Sequence, residues 1–362
     1  MKALRNAWYI AAWPDELDNG ALLGRTILSQ PVVMFRDADG VARAIGDRCP
    51  HRFAPLHLGR RVGNAVQCGY HGLEFGPDGK CSRNPHGNGS VPQAASVPAY
   101  PVVERYGMIW IWMGSGSPDE SLIPGDFSFA GDGSRAHIRG YLHVKANYLL
   151  LVDNLMDLSH GLYLHAGVLA TEEMREDFAP RARLDGDVVV CEREQPNIAP
   201  PALWVPSLPA GTERVDYFSN VYWYPPAFVI HPVGCRMVGK ADGVDGGVSS
   251  RSAHMFTPET ESTSHYFYDN SRDYRVDSPE TDARIRKLLS TVFGEQDRPM
   301  IEAQQQVIGD VDLMSLHPTV LPTDKATVLM RRRLAQLIGR EQATVGQAAG
   351  QAAETAPATV AG

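Results

Sequence analysis

Two short segments in the first quarter of the chain each contain one cysteine and one histidine. The first is Cys49-Pro50-His51, and the second is Cys68-Gly69-Tyr70-His71, with sixteen residues between His51 and Cys68. Two thiolates and two imidazoles can bind a zinc ion or an iron–sulfur cluster. Zinc fingers usually pair Cys with Cys and His with His, whereas a Rieske [2Fe–2S] centre has two Cys on one iron and two His on the other. One Cys and one His in each segment therefore favour the cluster.

A second group of potential ligands lies between residues 153 and 165. Asn154, Asp157 and His160 are spaced i, i+3 and i+6, so a helix would place them on one side. His165 follows five residues after His160, about 140° further round a helix. Both imidazoles can therefore reach one ion only if the helix ends or bends between them, and Gly161 is a plausible point. Two imidazoles and one carboxylate form the facial triad of O2-activating Fe(II).

The two cysteine–histidine segments, extended by Arg52 and Gly72, resemble the signature of the Rieske non-haem iron oxygenases. Residues 5–9, 152–158 and 257–261 resemble the vanillate O-demethylase and dicamba monooxygenase branch of that family. The resemblance extends over roughly residues 5 to 310. It implies a Rieske [2Fe–2S] cluster and a mononuclear Fe(II), and it assigns the cluster ligands as Cys49, His51, Cys68 and His71 and the two histidine ligands of the Fe(II) as His160 and His165.

The resemblance also implies a carboxylate ligand and an electronic link between the two iron sites. In the family the carboxylate comes from an acidic segment that opens a late helix, which residues 294–305 resemble, and Asp297 is the predicted ligand ahead of Glu302 and Glu295. Asp157 and Asn154 are the predicted catalytic residues beside the iron. By the same resemblance Asp157 would hydrogen-bond His160 and the partner subunit's His71, which implies a ring of subunits, usually a homotrimer.

This branch implies the monooxygenation of a substituted aromatic compound, with O-demethylation of a methoxy-aromatic acid as the predicted reaction. A separate reductase or ferredoxin would deliver NAD(P)H electrons to the cluster. Hydroxylation of the methyl group with O2 would form a hemiacetal, which releases formaldehyde and a phenol. N-dealkylation, methyl hydroxylation and cis-dihydroxylation of another aromatic compound are the alternatives within the family.

Two hypotheses from other functional classes compete with the oxygenase. A Rieske-type electron carrier would need only about the first 115 residues, and the second set of His and Asp residues argues against it. A zinc-stabilised binding protein would be colourless, whereas a Rieske protein is red-brown.

The β-rich segment after residue 200 is expected to form the substrate pocket. Aromatic and aliphatic side chains there could form a wall for an aromatic ring, and the predicted wall residues are Tyr222, Trp223, Phe228 and Ile230. Polar anchors for a carboxylate or a phenol are predicted at His231, Arg251 and His254.

The hydrophobic patterns predict an α+β fold. Short apolar runs between turn residues predict an all-β Rieske domain over residues 1–120, and a catalytic domain with a central antiparallel sheet flanked by helices is predicted over 121–340. Residues 254–256 and 265–268 are expected to pair as a hairpin, and residues 279–309 are expected to form two helices separated near Gly294. An Ala/Gln-rich tail, 341–362, is expected to be flexible.

Composition narrows the classes of function. The formal net charge is −8 and the pI is about 5.8, so the basic surface typical of nucleic-acid-binding proteins is not expected. No apolar run suits a signal peptide or a membrane span, and we therefore expect a cytoplasmic protein. In that reducing compartment the five cysteines would be thiols or metal ligands rather than disulfides.

Overall fold

The structure, a computed structural model, describes residues 2–176 and 180–354. Its eighteen strands are β1 (Trp8–Ala12), β2 (Leu23–Ile27), β3 (Gln30–Arg36), β4 (Ala42–Gly46), β5 (Arg60–Val62), β6 (Ala65–Gln67), β7 (Glu74–Phe75), β8 (Cys81–Arg83), β9 (Ala99–Tyr100), β10 (Val102–Arg105), β11 (Met108–Trp112), β12 (Ala136–Val144), β13 (Arg181–Asp185), β14 (Val188–Ile198), β15 (Val215–Tyr224), β16 (Phe228–Met237), β17 (Val248–Pro258) and β18 (Ser264–Arg272). The α-helices are α1 (Tyr148–Met156), α2 (Glu173–Glu176), α3 (Pro279–Leu289), α4 (Arg298–Ile308) and α5 (Lys325–Glu354), and a π-helical segment, Ser290–Asp297, joins α3 to α4.

The N-terminal region consists of three small antiparallel sheets. Their strand orders are β1-β11-β10, β2-β3-β4-β9 and β5-β6-β7-β8. One cysteine–histidine loop leads from β4 towards β5, and the other joins β6 to β7, so both lie at the same end of the third sheet. The prediction of an all-β N-terminal domain is confirmed.

A seven-stranded antiparallel sheet forms the centre of the remaining chain, in the order β12-β18-β17-β16-β15-β14-β13. The predicted hairpin is its β17–β18 pair, in which His254 lies opposite Tyr268 and Phe256 lies opposite Tyr266. Helices pack against this sheet, as expected for the α+β fold class.

The two faces of this sheet have different partners because side chains alternate along each strand. Phe228 and Ile230 of β16 point towards the N-terminal region and join a buried cluster that includes Trp110 of β11. The rings of Trp110 and Phe228 pack edge to face with centroids 5.3 Å apart. The opposite face carries His231 and the β17 residue His254, and it is this face that the helices cover.

Helix α1 ends before the histidines that follow it. Asn147 caps its first turn by accepting a hydrogen bond from the Leu149 amide, and Asp157 at its C-terminal end is already extended. The Asp157 carboxylate accepts hydrogen bonds from the amide and the hydroxyl of Ser159, at 2.7 and 2.5 Å. This local side-chain turn competes with helical hydrogen bonding, so the chain turns at Asp157 rather than at Gly161, the point suggested by the sequence.

The two helices predicted over residues 279–309 are α3 and α4, but the chain does not break between them near Gly294. The chain remains helical from Pro279 to Ile308, and Gly294 lies inside the π-helical segment. A π-helical turn accommodates an extra residue within a continuous helix and is frequent at functional sites. Here it ends at Asp297, which faces the end of α1.

The last helix, α5, packs against α1 through a bidentate pair in which Arg331 donates to the Asp153 carboxylate. It extends to Glu354, so residues 341–354 of the predicted tail are helical, and residues 355–362 lie outside the described part of the chain. Among the described helices, none is both long and apolar enough to cross a membrane.

Candidate active site

Three potential metal ligands meet between the end of α1 and the π-helical segment. They are His160, His165 and Asp297, and their ligand atoms all lie within 4.8 Å of one another. The Nε2 atoms of His160 and His165 lie 3.7 and 3.2 Å from Asp297 Oδ1. His165 and Asp297 are almost completely buried, and His160 is half-buried. The alternative carboxylates do not reach this site: Glu302 binds the Lys145 amide, and Glu295 is exposed.

The ligand side chains are oriented by hydrogen bonds on their far sides. Nδ1 of His165 donates to Gln296 Oε1 at 2.8 Å, and Nδ1 of His160 donates to the Asp157 carbonyl oxygen at 2.5 Å. Each contact leaves Nε2 free to bind a metal. Asn154 Nδ2 donates to Asp297 Oδ1 at 3.2 Å and fixes that carboxylate from the α1 side.

The spacing of the ligand atoms suits a divalent metal ion. Two ligand atoms about 2.1 Å from such an ion lie about 3.0 Å apart at a right angle and about 3.4 Å apart at a tetrahedral angle, and the 3.2 Å between His165 and Asp297 lies between these values. Burial lowers the pKa of His165, but its contacts with Asp297 and Gln296 together outweigh burial and raise the pKa above the usual value. The carboxylate therefore attracts positive charge at the point where the two imidazoles converge. Two His and one carboxylate on one side of an ion are the donor set of non-haem Fe(II).

We predict that Gln296→Leu weakens metal binding without affecting the fold. The substitution removes the acceptor that orients His165, and loss of such an outer partner typically costs about 10–100-fold in metal affinity. Competition with a chelator measures the Fe(II) affinity directly. Gln296→Glu keeps an acceptor and should stay near the wild type, and Gln306→Leu makes the same change on an exposed position of α4. Equal affinity in Gln296→Leu and the wild type would contradict the role.

A cavity of about 100 Å³ lies beside the three ligands. Besides these, its lining combines mainly apolar side chains with a few polar ones: Leu155, Leu158, Gly161, Leu169, Ala170, Arg193, Tyr217, Ser219, His231, His254, Val292 and Phe293. His231 is hydrogen-bonded to the Ser219 hydroxyl at 2.8 Å, and Nδ1 of His254 is hydrogen-bonded to the Tyr266 hydroxyl at 2.8 Å. Nε2 of His254 is buried without a hydrogen-bond partner among the described residues.

Both cavity histidines are held in the neutral form. Burial, with a smaller contribution from nearby His160, lowers the pKa of His231 to about 4. Burial, together with His231, lowers the pKa of His254 well below its usual value. The cavity therefore presents two uncharged imidazoles, each able to make one directed hydrogen bond.

The structure places five of the predicted substrate residues away from this cavity. Phe228 and Ile230 face the N-terminal region with Tyr222 packed against the same cluster, and Arg251 lies on that side of the sheet, where its guanidinium stacks over Phe129. Trp223 shares the cavity face but lies four residues beyond Ser219 along β15, about 13 Å away, within the core around α1. The predicted aromatic wall is therefore core, whereas His231 and His254 do line the cavity.

Asp157 lies at the edge of the site with its side chain half-exposed. Its contact with His160 is made by the main-chain carbonyl, while carboxylate oxygen Oδ1 accepts the two hydrogen bonds from Ser159. The resemblance to the family implies a hydrogen bond between Asp157 and His160, and here the main chain of Asp157 makes that bond rather than its carboxylate. Asp157 also lines a second, separate cavity whose wall includes Met300, Met314 and Val320.

The two cysteine–histidine loops face each other at the end of the third N-terminal sheet. Cys49 and Cys68 are each only 2 % exposed, and the rings of His51 and His71 pack with centroids 4.5 Å apart. Burial and the neighbouring Cys68 thiol raise the pKa of Cys49. The main-chain amides of His51 and Arg52 donate to its sulfur and lower the pKa, but by less. Gly72 has a φ of +76°, a conformation that favours glycine, and it turns the second loop towards the first.

These four residues fit a two-iron cluster better than a single zinc ion. The cysteines are adjacent and the histidines are adjacent, so one iron would receive both sulfurs and the other both imidazoles. Among the described residues, the ligand atoms of His160, His165 and Asp297 lie close enough together to share one ion, whereas those of the four cysteine–histidine loop residues do not.

Sequence reasoning missed three residues of the site. Gln296 directly precedes Asp297, the predicted carboxylate ligand. Nothing in the sequence predicted that the π-helical segment would turn the Gln296 side chain towards His165. Ser219 and Tyr266 support the cavity histidines across neighbouring strands, so the register of the sheet determines both contacts. Side chains in residues 217–231 alternate between the two faces of the sheet, and this alternation could have indicated which of them line the cavity.

Comparisons with known proteins match both halves of the chain. Residues 7–101 match the Rieske [2Fe-2S] domain, and residues 144–340 match the vanillate O-demethylase oxygenase C-terminal domain. The oxygenase component of a chloroacetanilide N-alkylformylase from Rhizorhabdus wittichii is 40% identical over 93% of this chain and 96% of its own length. The oxygenase component of a dicamba O-demethylase from Stenotrophomonas maltophilia is 38% identical, with 93% and 98% of the two chains covered.

The fold is also similar to that of solved structures. The crystal structure of dicamba monooxygenase with non-haem iron and dicamba has a TM-score of 0.81 and 35% sequence identity. The similarity covers 95% of this chain and all of that one.

Proposed function

This chain belongs to the Rieske oxygenases with a vanillate O-demethylase oxygenase C-terminal domain, and on that premise we propose that it removes a methyl group from a methoxy-aromatic acid. The observation that carries the proposal is the facial set of His160, His165 and Asp297, which adjoins a mainly apolar cavity. Relatives named as dicamba and vanillate O-demethylase oxygenases support the choice of reaction.

Two iron centres would supply the redox chemistry: when bound, the mononuclear Fe(II) activates O2 beside the substrate, and the Rieske cluster provides electrons. His160, His165 and Asp297 hold the Fe(II), and Asn154 keeps the Asp297 carboxylate in place. Cys49, Cys68, His51 and His71 hold the cluster. Insertion of one oxygen atom into a methyl C–H bond leaves a hemiacetal, which breaks down to formaldehyde and a phenol.

The cavity would hold the aromatic ring with its methoxy group towards the three ligands. A volume of about 100 Å³ is smaller than the ~150 Å³ cavity that holds benzene in another protein, so the methoxy group and the adjoining part of the ring would fill it and the rest of the substrate would extend out of it. The buried Tyr266 hydroxyl needs an acceptor for its proton, and Nδ1 of His254 is that acceptor. Nε2 of His254 then carries a hydrogen and donates to a substrate oxygen, with His231 as the second polar contact.

Electrons would come from a separate NAD(P)H-dependent reductase or a ferredoxin, which fits a cytoplasmic enzyme. We propose that Asp157 passes them from the cluster of one subunit to the iron of the next, in a homotrimeric ring. Three apolar side chains that line a cavity with Asp157 are exposed, which suits a subunit contact: Met300 is 52%, Met314 40% and Val320 55% exposed. Tyr70, 66% exposed beside His71, offers the complementary apolar surface.

N-dealkylation of an aromatic amide is the second candidate. It is favoured by the chloroacetanilide N-alkylformylase component, which is 40% identical to this chain. The neutral state of His231 and His254 also suits an uncharged substrate, because neither imidazole would contribute positive charge to bind a carboxylate.

We predict formaldehyde release from methoxylated aromatic acids when the enzyme is supplied with reductase, NADH and O2. The panel contains methoxybenzoic acids, their methyl amides and N-alkoxyalkyl anilides. Formaldehyde and the matching phenol should form in equal amounts, because the hemiacetal yields one of each. His254→Phe removes the donor that positions the substrate oxygen and should raise KM at least tenfold for the accepted compound.

The products distinguish the candidates. Turnover of the anilides alone, with cleavage of an N-alkyl group, would replace the proposal by N-dealkylation. A dihydrodiol product would show that dealkylation is not the reaction of this enzyme.

A further inference from the structure

The surface around the first cysteine–histidine loop is positively charged, in contrast to the chain as a whole. Residues 47–83 contain six Lys or Arg and three Asp or Glu, a net charge of +3, whereas the whole chain has −8. Each of the three acidic groups is paired: Asp47 with His57, Glu74 with Arg83, and Asp78 with Lys80. The excess positive charge in this segment is therefore not neutralised within it.

Four arginines of this segment are exposed, and none of them forms an ion pair with a described residue: Arg48, Arg52, Arg60 and Arg61. Arg48 and Arg52 flank the loop that contains Cys49 and His51. Arg60 donates to Gln67, the residue before Cys68. Three unpaired guanidinium groups thus lie next to the ligands of the proposed cluster, and such a group of like charges creates a field that extends about 8–10 Å into solvent.

An exposed aromatic side chain lies within this positive region. Phe53 is 66% exposed and adopts a φ of +58°, and its amide donates to the Cys49 carbonyl oxygen. The Arg48 guanidinium stacks on its ring, 5.1 Å from the centroid. Beside them runs a groove of about 350 Å³ whose wall includes Pro50. Phenylalanine and arginine are both residue types enriched at protein–protein interfaces.

We propose that this basic face, defined by Arg48, Arg52, Phe53 and Arg60, is the docking site for an acidic electron-transfer protein. The inference rests on the proposed function, because it assumes an external electron donor. The second loop, with Tyr70 and His71, is left for the proposed contact with the neighbouring subunit. One electron leaves the reduced donor and enters the cluster, and no bond forms or breaks.

Charge complementarity identifies the kind of partner. A positive patch of unpaired arginines increases the association rate of a negatively charged protein, and the effect falls steeply as salt screens it. A second copy of this chain would also carry a net negative charge, so the test must distinguish it from an acidic electron-transfer protein.

The test measures anaerobic reduction of the cluster, without substrate, so that it does not depend on the reaction catalysed. The holoenzyme is mixed with a reduced, acidic plant-type [2Fe–2S] ferredoxin, and the loss of visible absorbance gives the second-order rate constant. Transfer in this direction is favourable because two histidine ligands raise the potential of a Rieske centre above that of an all-cysteine cluster. Arg48→Glu should lower the rate constant about tenfold at low ionic strength.

Two controls isolate the charge. Arg48→Lys keeps the positive charge and should stay within about twofold of the wild type, and Arg332→Glu makes the same reversal on an exposed position of α5. In ~0.5 M salt the difference between Arg48→Glu and the wild type should shrink to about twofold. The midpoint potential of the cluster is measured in all four proteins, so that an effect of the charge next to Cys49 on the potential is separated from an effect on docking.

Three outcomes would overturn the proposal. One is an unchanged rate constant in Arg48→Glu at low salt. Another is a loss of rate that persists at high salt or follows a shifted midpoint potential. The third is a change of oligomeric state on sedimentation in Arg48→Glu, which would assign this face to a second copy of the chain. None of them depends on which compound the enzyme oxidises, so a wrong substrate assignment would leave the test valid.

Discussion

His160→Ala should lose turnover to the background level while the protein keeps its red-brown colour. The substitution removes one of the three ligand side chains that converge on the mononuclear site, and the remaining pair, His165 and Asp297, provides too few ligands to retain Fe(II). The loops that hold Cys49 and Cys68 lie in another part of the fold and should keep their cluster. Iron analysis before and after gel filtration, with product formation measured in parallel, checks both expectations.

The control for this variant is a histidine with no role in the site. His317 is exposed, and its φ of +52° is a conformation that asparagine tolerates, so His317→Asn should keep both iron and turnover. Product formation by His160→Ala at the wild-type rate would show that the metal site is elsewhere. Loss of colour in the same variant would show that the two sites are not independent.

Asp157→Asn should separate the two iron centres functionally without removing either. Asparagine keeps the main-chain contact with His160 and can still accept the Ser159 hydrogen bonds, so the local turn should survive. The negative charge at the proposed subunit contact is lost. We expect the rate at which the reduced cluster is reoxidised, in the presence of O2 and substrate, to fall at least about 100-fold at unchanged iron content.

A single-turnover experiment measures that rate from the return of visible absorbance after mixing with O2. Ser159→Ala is the matched control, because it removes the hydroxyl contact of Asp157 and leaves the carboxylate in place. If Ser159→Ala slows reoxidation as much as Asp157→Asn, Asp157 acts by holding the local turn. Reoxidation at the wild-type rate in Asp157→Asn would show that Asp157 does not take part in electron transfer.

The sequence carried enough information to predict the N-terminal β domain, the β17–β18 hairpin and the α+β class. It also supplied His160, His165 and Asp297, which the structure brings together, although Asp297 rested on resemblance to a family rather than on spacing. These predictions worked because they depend on local signals: turn residues, side-chain alternation and the fixed composition of short chelating loops.

The errors came from packing that a single sequence does not reveal. Phe228 and Ile230 are apolar and near His231, but alternation along β16 turns them to the opposite face, where Trp110 covers them. The π-helical segment was missed because Gly294 was interpreted as a break, whereas the continuous helix keeps Asp297 and Gln296 beside His165. In both cases tertiary contacts chose between local conformations that the residue types alone allow.

Two unlike iron centres in one polypeptide are the central claim of this account, and Mössbauer spectroscopy of 57Fe-enriched protein, combined with iron and sulfide analysis, tests it most directly. The account predicts three iron atoms and two acid-labile sulfides per chain, with two irons as a coupled pair and the third as high-spin Fe(II). The Fe(II) signal alone should disappear in His160→Ala. A fully loaded protein with iron in only one of these environments, or with zinc bound by the cysteine–histidine loops, would contradict the claim.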